Sequence, residues 1–347
     1  MIRWSRICKG IGLSLLIFTL GGCAKETATV DEVMEEIKTT EQKETEDTTL
    51  GLDDIILQVG DTSVTYREVL FYIYKAKEQY EDKLGSDVWD VTLENGNSFE
   101  DYAKEELLME ITEIKIIGEE AKKNEVSLTA GEEVQAENEA AAFLEAVTDE
   151  EKKEYGFETE LIKDIYMEHA IANKMYEKTA EDAKVEIDEE DYRQVKVQYI
   201  HVMTNGTDKN GKTVSMSDEE KEKARKRADK LLAKAKTSED FEAYATEKTS
   251  AKEVTAIFGK EDMPEDFGKA ALALKTGEFS EVIEGKNGYY ILYCENENVE
   301  KSTAKKVEEA KEQQESEAFQ EAYTKWSEEY SAKVSVKLWQ VIQVKES

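Results

Sequence analysis

Few side chains in this 347-residue sequence could do chemistry, and they lie far apart. There are two histidines, His169 and His201, three cysteines, Cys8, Cys23 and Cys294, and one proline, Pro264. His201 closes a run in which Val195, Val197, Tyr199 and His201 alternate with Lys196, Gln198 and Ile200, the period-two spacing of a strand. It shares a face with Val197 and Tyr199, so its ring is expected to point inward, where a histidine needs a hydrogen-bond partner. Met263 and Phe267 stand four apart on one face of an expected helix and can together line an apolar pocket; ordinary core residues share that spacing. His169 falls on a long helical pattern and reads as an ordinary helix residue. Cys294 alternates onto the face of Tyr290 and Leu292, as a buried, inert thiol rather than a nucleophile. A zinc site usually takes three or four N/S ligands, so no metal and no cofactor are expected. No Gly-x-Ser-x-Gly, phosphate loop, dinucleotide fingerprint or His-Glu-x-x-His occurs.

The background is acidic, with 79 Asp and Glu against 46 Lys and Arg and a net charge of −33. That excess argues against a nucleic-acid partner, because phosphate binding needs a basic face. At 39% hydrophobic residues the chain can still bury a core, and its length suggests two domains of ~150 residues. One proline, where average usage would give roughly 17, excludes collagen-like and proline-rich classes. Three cysteines exclude a disulfide scaffold. The Glu/Lys runs read as solvated helix faces.

Residues 1–22 read as a signal peptide. Arg3, Arg6 and Lys9 form a positive start, and Gly10–Leu20 is mostly apolar yet too short for the about 20 residues a membrane span needs. Leu20-Gly21-Gly22-Cys23 resembles a bacterial lipobox, which implies cleavage before Cys23 and lipid on that residue. The expected location is the extracytoplasmic face of the bacterial membrane, lipid-anchored. Losing Arg3, Arg6 and Lys9 would take the net charge from −33 to −36. Beyond the acylated Cys23, residues 24–51 carry nine acids, seven threonines and no aromatic residue, so residues 23–51 are expected to be a disordered tether reaching roughly 30 Å.

The folded body should open with a strand at Ile55–Val59, a short second strand, and a helix from Tyr66 capped by Thr65 and Glu68. Ser98 caps a long amphipathic helix through Leu107, Leu108, Ile111, Ile114 and Ile117. Thr129 and Glu132 cap another, Glu133–Val147, and a fourth runs from about Glu158 to Ala183. Residues 52–190 are therefore a helical domain. After the strand of His201 comes a loop holding Asn205-Gly206 and Asn210-Gly211. A capping box at Ser217 and Glu220 then opens a basic helix through Ala235. A shorter helix near Ser238 turns Phe241 and Tyr244 inward. Pro264 suits a helix's first position, and Gly288 precedes a last strand, Tyr289–Cys294. Residues 194–297 form a small α+β domain. From residue 300 the helical pattern returns, with Phe319, Tyr323, Trp326 and Tyr330 on one face. Val334, Val336 and Leu338 then alternate as a strand. Residues 300–347 are expected to complete the first domain, with 194–297 inserted.

Five segments stand in order along the chain: Tyr199-Ile200-His201-Val202-Met203, Phe241-Glu242-Ala243-Tyr244-Ala245, Met263-Pro264-Glu265-Asp266-Phe267, the run Ala270–Ser280, and Gly288-Tyr289-Tyr290-Ile291-Leu292. By these motifs Val195–Glu297 resembles a parvulin-type (PpiC-like) peptidyl-prolyl isomerase domain, and the whole chain a PrsA-type extracytoplasmic foldase lipoprotein with a SurA/PrsA-like chaperone domain. The resemblance makes His201 and Tyr290 the catalytic candidates and Met263 and Phe267 the walls of the prolyl pocket. Two features depart from the family. Its second core histidine falls at Tyr290, and its acidic or cysteine position after the second helix has no counterpart, because Thr249–Ile257 is several residues short.

Prolyl isomerisation breaks no bond; its barrier of ~18–20 kcal/mol is lost amide resonance. A catalyst needs an apolar seat for the ring and surroundings that favour the twisted amide. The leading reading is a foldase assisting secreted proteins, with isomerase activity that the two departures would weaken. The alternative is a holdase that uses a degenerate parvulin domain to bind clients or as scaffold. Unfolded or partly folded secreted polypeptides are the expected partners in both, with the membrane reached through Cys23. A transport substrate-binding lipoprotein would share the anchor but needs repeated βαβ patterns, and none is visible.

Overall fold

The structure is a computed structural model and describes residues 49–94, 96–207, 212–260 and 262–345. Cys23, the signal and most of the tether lie outside them, as do Asn95, Asn210 and Gly211. In chain order the elements are β1 (Ile55–Val59), β2 (Thr62–Thr65), α1 (Tyr66–Leu84), α2 (Phe99–Lys123), α3 (Ala130–Ala146), α4 (Asp149–Glu154) and α5 (Thr159–Ala183). There follow β3 (Val195–Met203), β4 (Asn205–Thr207), β5 (Thr213–Ser215), α6 (Asp218–Ala235), α7 (Phe241–Lys248), β6 (Thr255–Phe258), α8 (Glu265–Ala273), β7 (Ile283–Gly285) and β8 (Gly288–Asn296). The last are α9 (Glu300–Ser327), β9 (Ala332–Val334) and α10 (Val336–Val341). The fold is mixed α+β. Its contacts divide into two units, Met1–Lys184 with Glu315–Ser347, and Val185–Gln314.

In the first unit the long helices form because apolar residues recur at helical spacing and polar caps close their ends. Ser98 accepts from the Asp101 amide, and Thr129 and Glu132 make a reciprocal capping box. That box starts α3 at Ala130, three residues before the expected Glu133. A second box, Thr148 with Glu151, opens α4, which the sequence reading passed over. The Thr65–Glu68 box does not form. Thr65 makes no side-chain cap bond, and Glu68 turns inward to Lys115, 2.7 Å away. Lys115 also pairs with Glu168 at 2.6 Å, and a buried ammonium needs such partners more than a helix end needs a cap. In the core of this unit Phe71, Phe143, Phe157 and Tyr166 pack edge to face or tilted. β9 joins β1 antiparallel, Leu57 opposite Val334, in a sheet ordered β2-β1-β9. The expected strand through Val336 and Leu338 is instead helix α10. A short apolar run fits either period, and the helical form buries Trp339, with Ile342 and Val344 just beyond it.

In the second unit an antiparallel sheet ordered β6-β3-β8-β7 is packed on both faces. Ile200, Val202, Tyr289 and Ile291 meet Ala228, Leu232 and Phe241 on one side. Val195, Val197, Phe258 and Leu292 meet Phe267 and Ala271 on the other. Four strands were not foreseen. Thr255–Phe258, read as loop, pairs with β3, and Ile283–Gly285 pairs with β8. The loop after β3 holds a two-stranded ribbon, β4 with β5. α7 is capped by Asp240 rather than starting near Ser238. Pro264 is the N-cap of α8, not its first turn, which leaves Met263 outside the helix.

Candidate functional site

The site is built on β3 and β8. His201 and Tyr290 are directly paired across these strands, and their rings stack, 4.4 Å between centroids and 3° from parallel. Phe267 rises from α8 to meet Tyr290 edge-on at 5.2 Å and Tyr199 edge-on at 5.7 Å. Phe258 on β6 stands behind it at 5.4 Å. Met263 is half-buried against the same cluster. It reaches the cluster from the turn before the helix, so the pair does not share a helix face.

His201 and Tyr290 meet through their ring faces and not through the phenol hydroxyl. The imidazole Nε2 lies 3.2 Å from the main-chain oxygen of Asn287, in the turn before β8. The His201 amide donates to Thr249 Oγ1 at 2.9 Å, and its carbonyl accepts from the Ser250 amide at 2.8 Å. Burial draws the imidazole below its ordinary pKa, opposed by the bond to Asn287. Burial raises the Tyr290 phenol, with Tyr199 adding to it, and raises Tyr199 with Glu253 adding. The result is an uncharged aromatic floor that can seat an apolar ring beside one polar imidazole. A hollow of about 320 Å³ in this unit is lined by Thr246, Thr249, Lys252 and Glu253 among others, and none of its walls is aromatic.

Three of the four residues singled out in the sequence are thus in one ring array, and Met263 packs beside it. Sequence reasoning placed Tyr199 on the right face without assigning it to the site, and missed Phe258 and Asn287. The available signal for Asn287 was Asn287-Gly288, a hairpin-turn dipeptide, ahead of the last strand. His169 is fully buried in the first unit, 3.3 Å from the Tyr72 hydroxyl. Burial, then Lys115, pulls its pKa down to about 3. Cys294 is buried and its thiol is pushed up by burial.

Residues 205–312 match the family described as PPIC-type PPIASE domain. The match takes in Met263, Phe267 and Tyr290 and begins four residues after His201. The chain therefore carries a PPIC-type peptidyl-prolyl isomerase domain. More particularly, it resembles the PrsA foldases. It is 26% identical over 250 residues to the foldase protein PrsA of Caldanaerobacter subterraneus subsp. tengcongensis, covering 70% of this chain and 73% of that protein. It is 27% identical over 247 residues to the foldase protein PrsA of Clostridium botulinum, covering 67% of this chain and 70% of the relative. Among solved structures, the PrsA peptidylprolyl isomerase of Bacillus cereus is similar at 18% identity and a TM-score of 0.33, over 80% of this chain and 91% of that one. No helix among the described residues is long and apolar enough to cross a membrane.

Proposed function

We propose that this protein is a membrane-anchored, extracytoplasmic foldase that assists secreted proteins through prolyl isomerisation in residues 194–297. The observation that carries the reading is the ring array of His201, Tyr290, Phe267 and Tyr199 within or beside the PPIC-type domain. In this reading Phe267 and Met263 seat the prolyl ring of an unfolded client. His201 and Tyr290 form the floor under the twisting amide, as neutral groups that shape and polarise the pocket without moving a proton. Lipid on Cys23 holds the protein at the membrane, and residues 52–190 with 300–347 form the chaperone body. No metal or cofactor takes part.

A stack in place of a hydrogen-bonded pair favours an activity weaker than that of a two-histidine floor. It also gives the second reading its support: a holdase on a degenerate parvulin domain. A prolyl-isomerisation assay on short X-Pro peptides, with residues 24–347, separates them. Catalysis that collapses in His201→Ala and Phe267→Ala supports the isomerase. A rate no higher than background, with client aggregation still suppressed, leaves the holdase. The anchor is tested separately by incorporation of labelled fatty acid, expected in the full chain and lost in Cys23→Ala.

A further inference from the structure

The Asn287 carbonyl oxygen accepts twice, from the Thr204 amide at 3.1 Å and from His201 Nε2 at 3.2 Å. A main-chain carbonyl has two lone pairs and no proton, so Nε2 must be the protonated nitrogen. In a neutral imidazole that leaves Nδ1 as the acceptor. The carbonyl is itself well fixed. Gly285 pairs with Gly288 across a two-residue turn, Lys286–Asn287, which sets its direction. The Asn287 side chain accepts, through Oδ1, from Asn205 Nδ2 at 3.0 Å. Asn205 opens β4 of the ribbon, and the Met216 amide donates to the Thr204 carbonyl at 2.9 Å just beyond β5.

The ring has little freedom to answer otherwise. Tyr290 covers one of its faces. At Gly288 a Cβ would fall 2.7 Å from Nε2 and 2.3 Å from the Val202 oxygen, so the turn is already in contact with the imidazole edge.

We propose that Asn287 is a positioning residue for this site: its carbonyl holds His201 as the Nε2–H tautomer, and its side chain ties that carbonyl to the ribbon through Asn205. The inference rests on the isomerase reading for its consequence. With Nε2 committed to the main chain, Nδ1 is the only acceptor the ring presents to a bound client, and whatever displaces the ribbon at Asn205 releases the ring.

The test uses residues 24–347 with ¹⁵N-labelled histidine. The two rings, His169 and His201, are distinguished by His201→Ala, and shifts are read at a pH above their titration. The expected result is one pure Nε2–H tautomer for His201. In Asn205→Ala and in Asn287→Ala its two nitrogen shifts should move toward each other as the tautomers mix. In the peptide assay kcat should fall by about threefold to tenfold at little-changed KM, the scale of one lost hydrogen bond. Asn287→Asp keeps an acceptor for Asn205 and should retain the pure tautomer. A mixed or Nδ1–H ring in the unaltered protein overturns the assignment, as does a tautomer that neither alanine variant disturbs. The shifts are read without substrate. A pure tautomer that both variants disturb supports the positioning role even where no peptide is isomerised, and then only the isomerase reading falls.

Discussion

The imidazole of His201 lies flat against the phenol of Tyr290, 4.4 Å between centroids and 3° from parallel. A stack is made by ring faces, so the hydroxyl of Tyr290 is not what joins the pair. Tyr290→Phe is therefore expected to keep the melting temperature and peptide isomerisation within about threefold of the unaltered protein. Tyr290→Ala uncovers the imidazole and should cost about 1 kcal/mol in stability, the scale of a cross-strand aromatic pair, together with most of the activity. A Phe variant as damaged as the Ala variant would transfer the role to the hydroxyl.

Phe267 is buried and its ring meets Tyr199, Phe258 and Tyr290. Phe267→Ala should cost about 3–5 kcal/mol in denaturant unfolding of this unit, the usual range for an emptied aromatic site. Phe267→Leu fills most of that space and should recover the larger part of the stability while raising KM for X-Pro peptides. Equal KM in the Leu variant would remove Phe267 from the prolyl seat and leave it as core.

Replacing Gly288 strikes the site at His201 itself. It has φ 150°, and an added Cβ would meet Val202 O at 2.3 Å and His201 Nε2 at 2.7 Å. Gly288→Ala must shift the β3–β8 pairing or expel the imidazole, at a cost of about 1–3 kcal/mol as for other overpacked sites. Histidine NMR shifts and a melting curve should both move. An unchanged His201 signal would contradict the packing described.

The first unit should lose stability as pH rises from about 5 to 8. Glu113 is pushed up to about 8 by burial and then by Glu110; Glu110 is raised to about 7 by burial and then by Glu106. Glu68 is raised to about 7 by burial, against the pull of Lys115. From the ordinary carboxyl value of 4.5 up to those values the folded protein holds more protons than the unfolded chain, so these groups stabilise most below 4.5 and lose that contribution as pH climbs. His169 acts in the opposite sense, protecting above 6.5 and losing that protection as pH falls toward 3. Three carboxyls outweigh one imidazole where the windows overlap, each group bearing about 1.4 kcal/mol per pH unit at most. Urea unfolding read by tryptophan fluorescence isolates this unit, since Trp89, Trp326 and Trp339 all lie in it. Glu113→Gln should flatten the pH dependence and stabilise at pH 8; identical slopes would refute the assignment.

Cys294 is buried in the second unit, and in residues 24–347 it is the sole cysteine. It should resist thiol reagents in the folded protein and react fully in denaturant. Labelling at native rates comparable to a free thiol would contradict its burial.

Much of this protein was legible in the residues themselves. Helix starts at Ser98, Thr129 and Ser217 are local events, because the capping side chain and the amide it satisfies are three residues apart. The strand of His201 and the helix ending at Ala235 were readable for the same reason, as was the α+β class. What the tertiary structure decided was where local rules compete with distant partners. Glu68 left its cap for a buried lysine 47 positions along the chain. Thr255–Phe258 became a strand because β3 offered an open edge, and Val336–Val341 a helix because Trp339 could be buried that way. The site divides likewise. The resemblance to the parvulin motifs pointed to His201, Met263, Phe267 and Tyr290. Only folding could choose a stack over a hydrogen bond and give the imidazole to the carbonyl of Asn287. Strand register and turn direction set ring angles and lone-pair positions, and neither is a property of any short stretch of sequence.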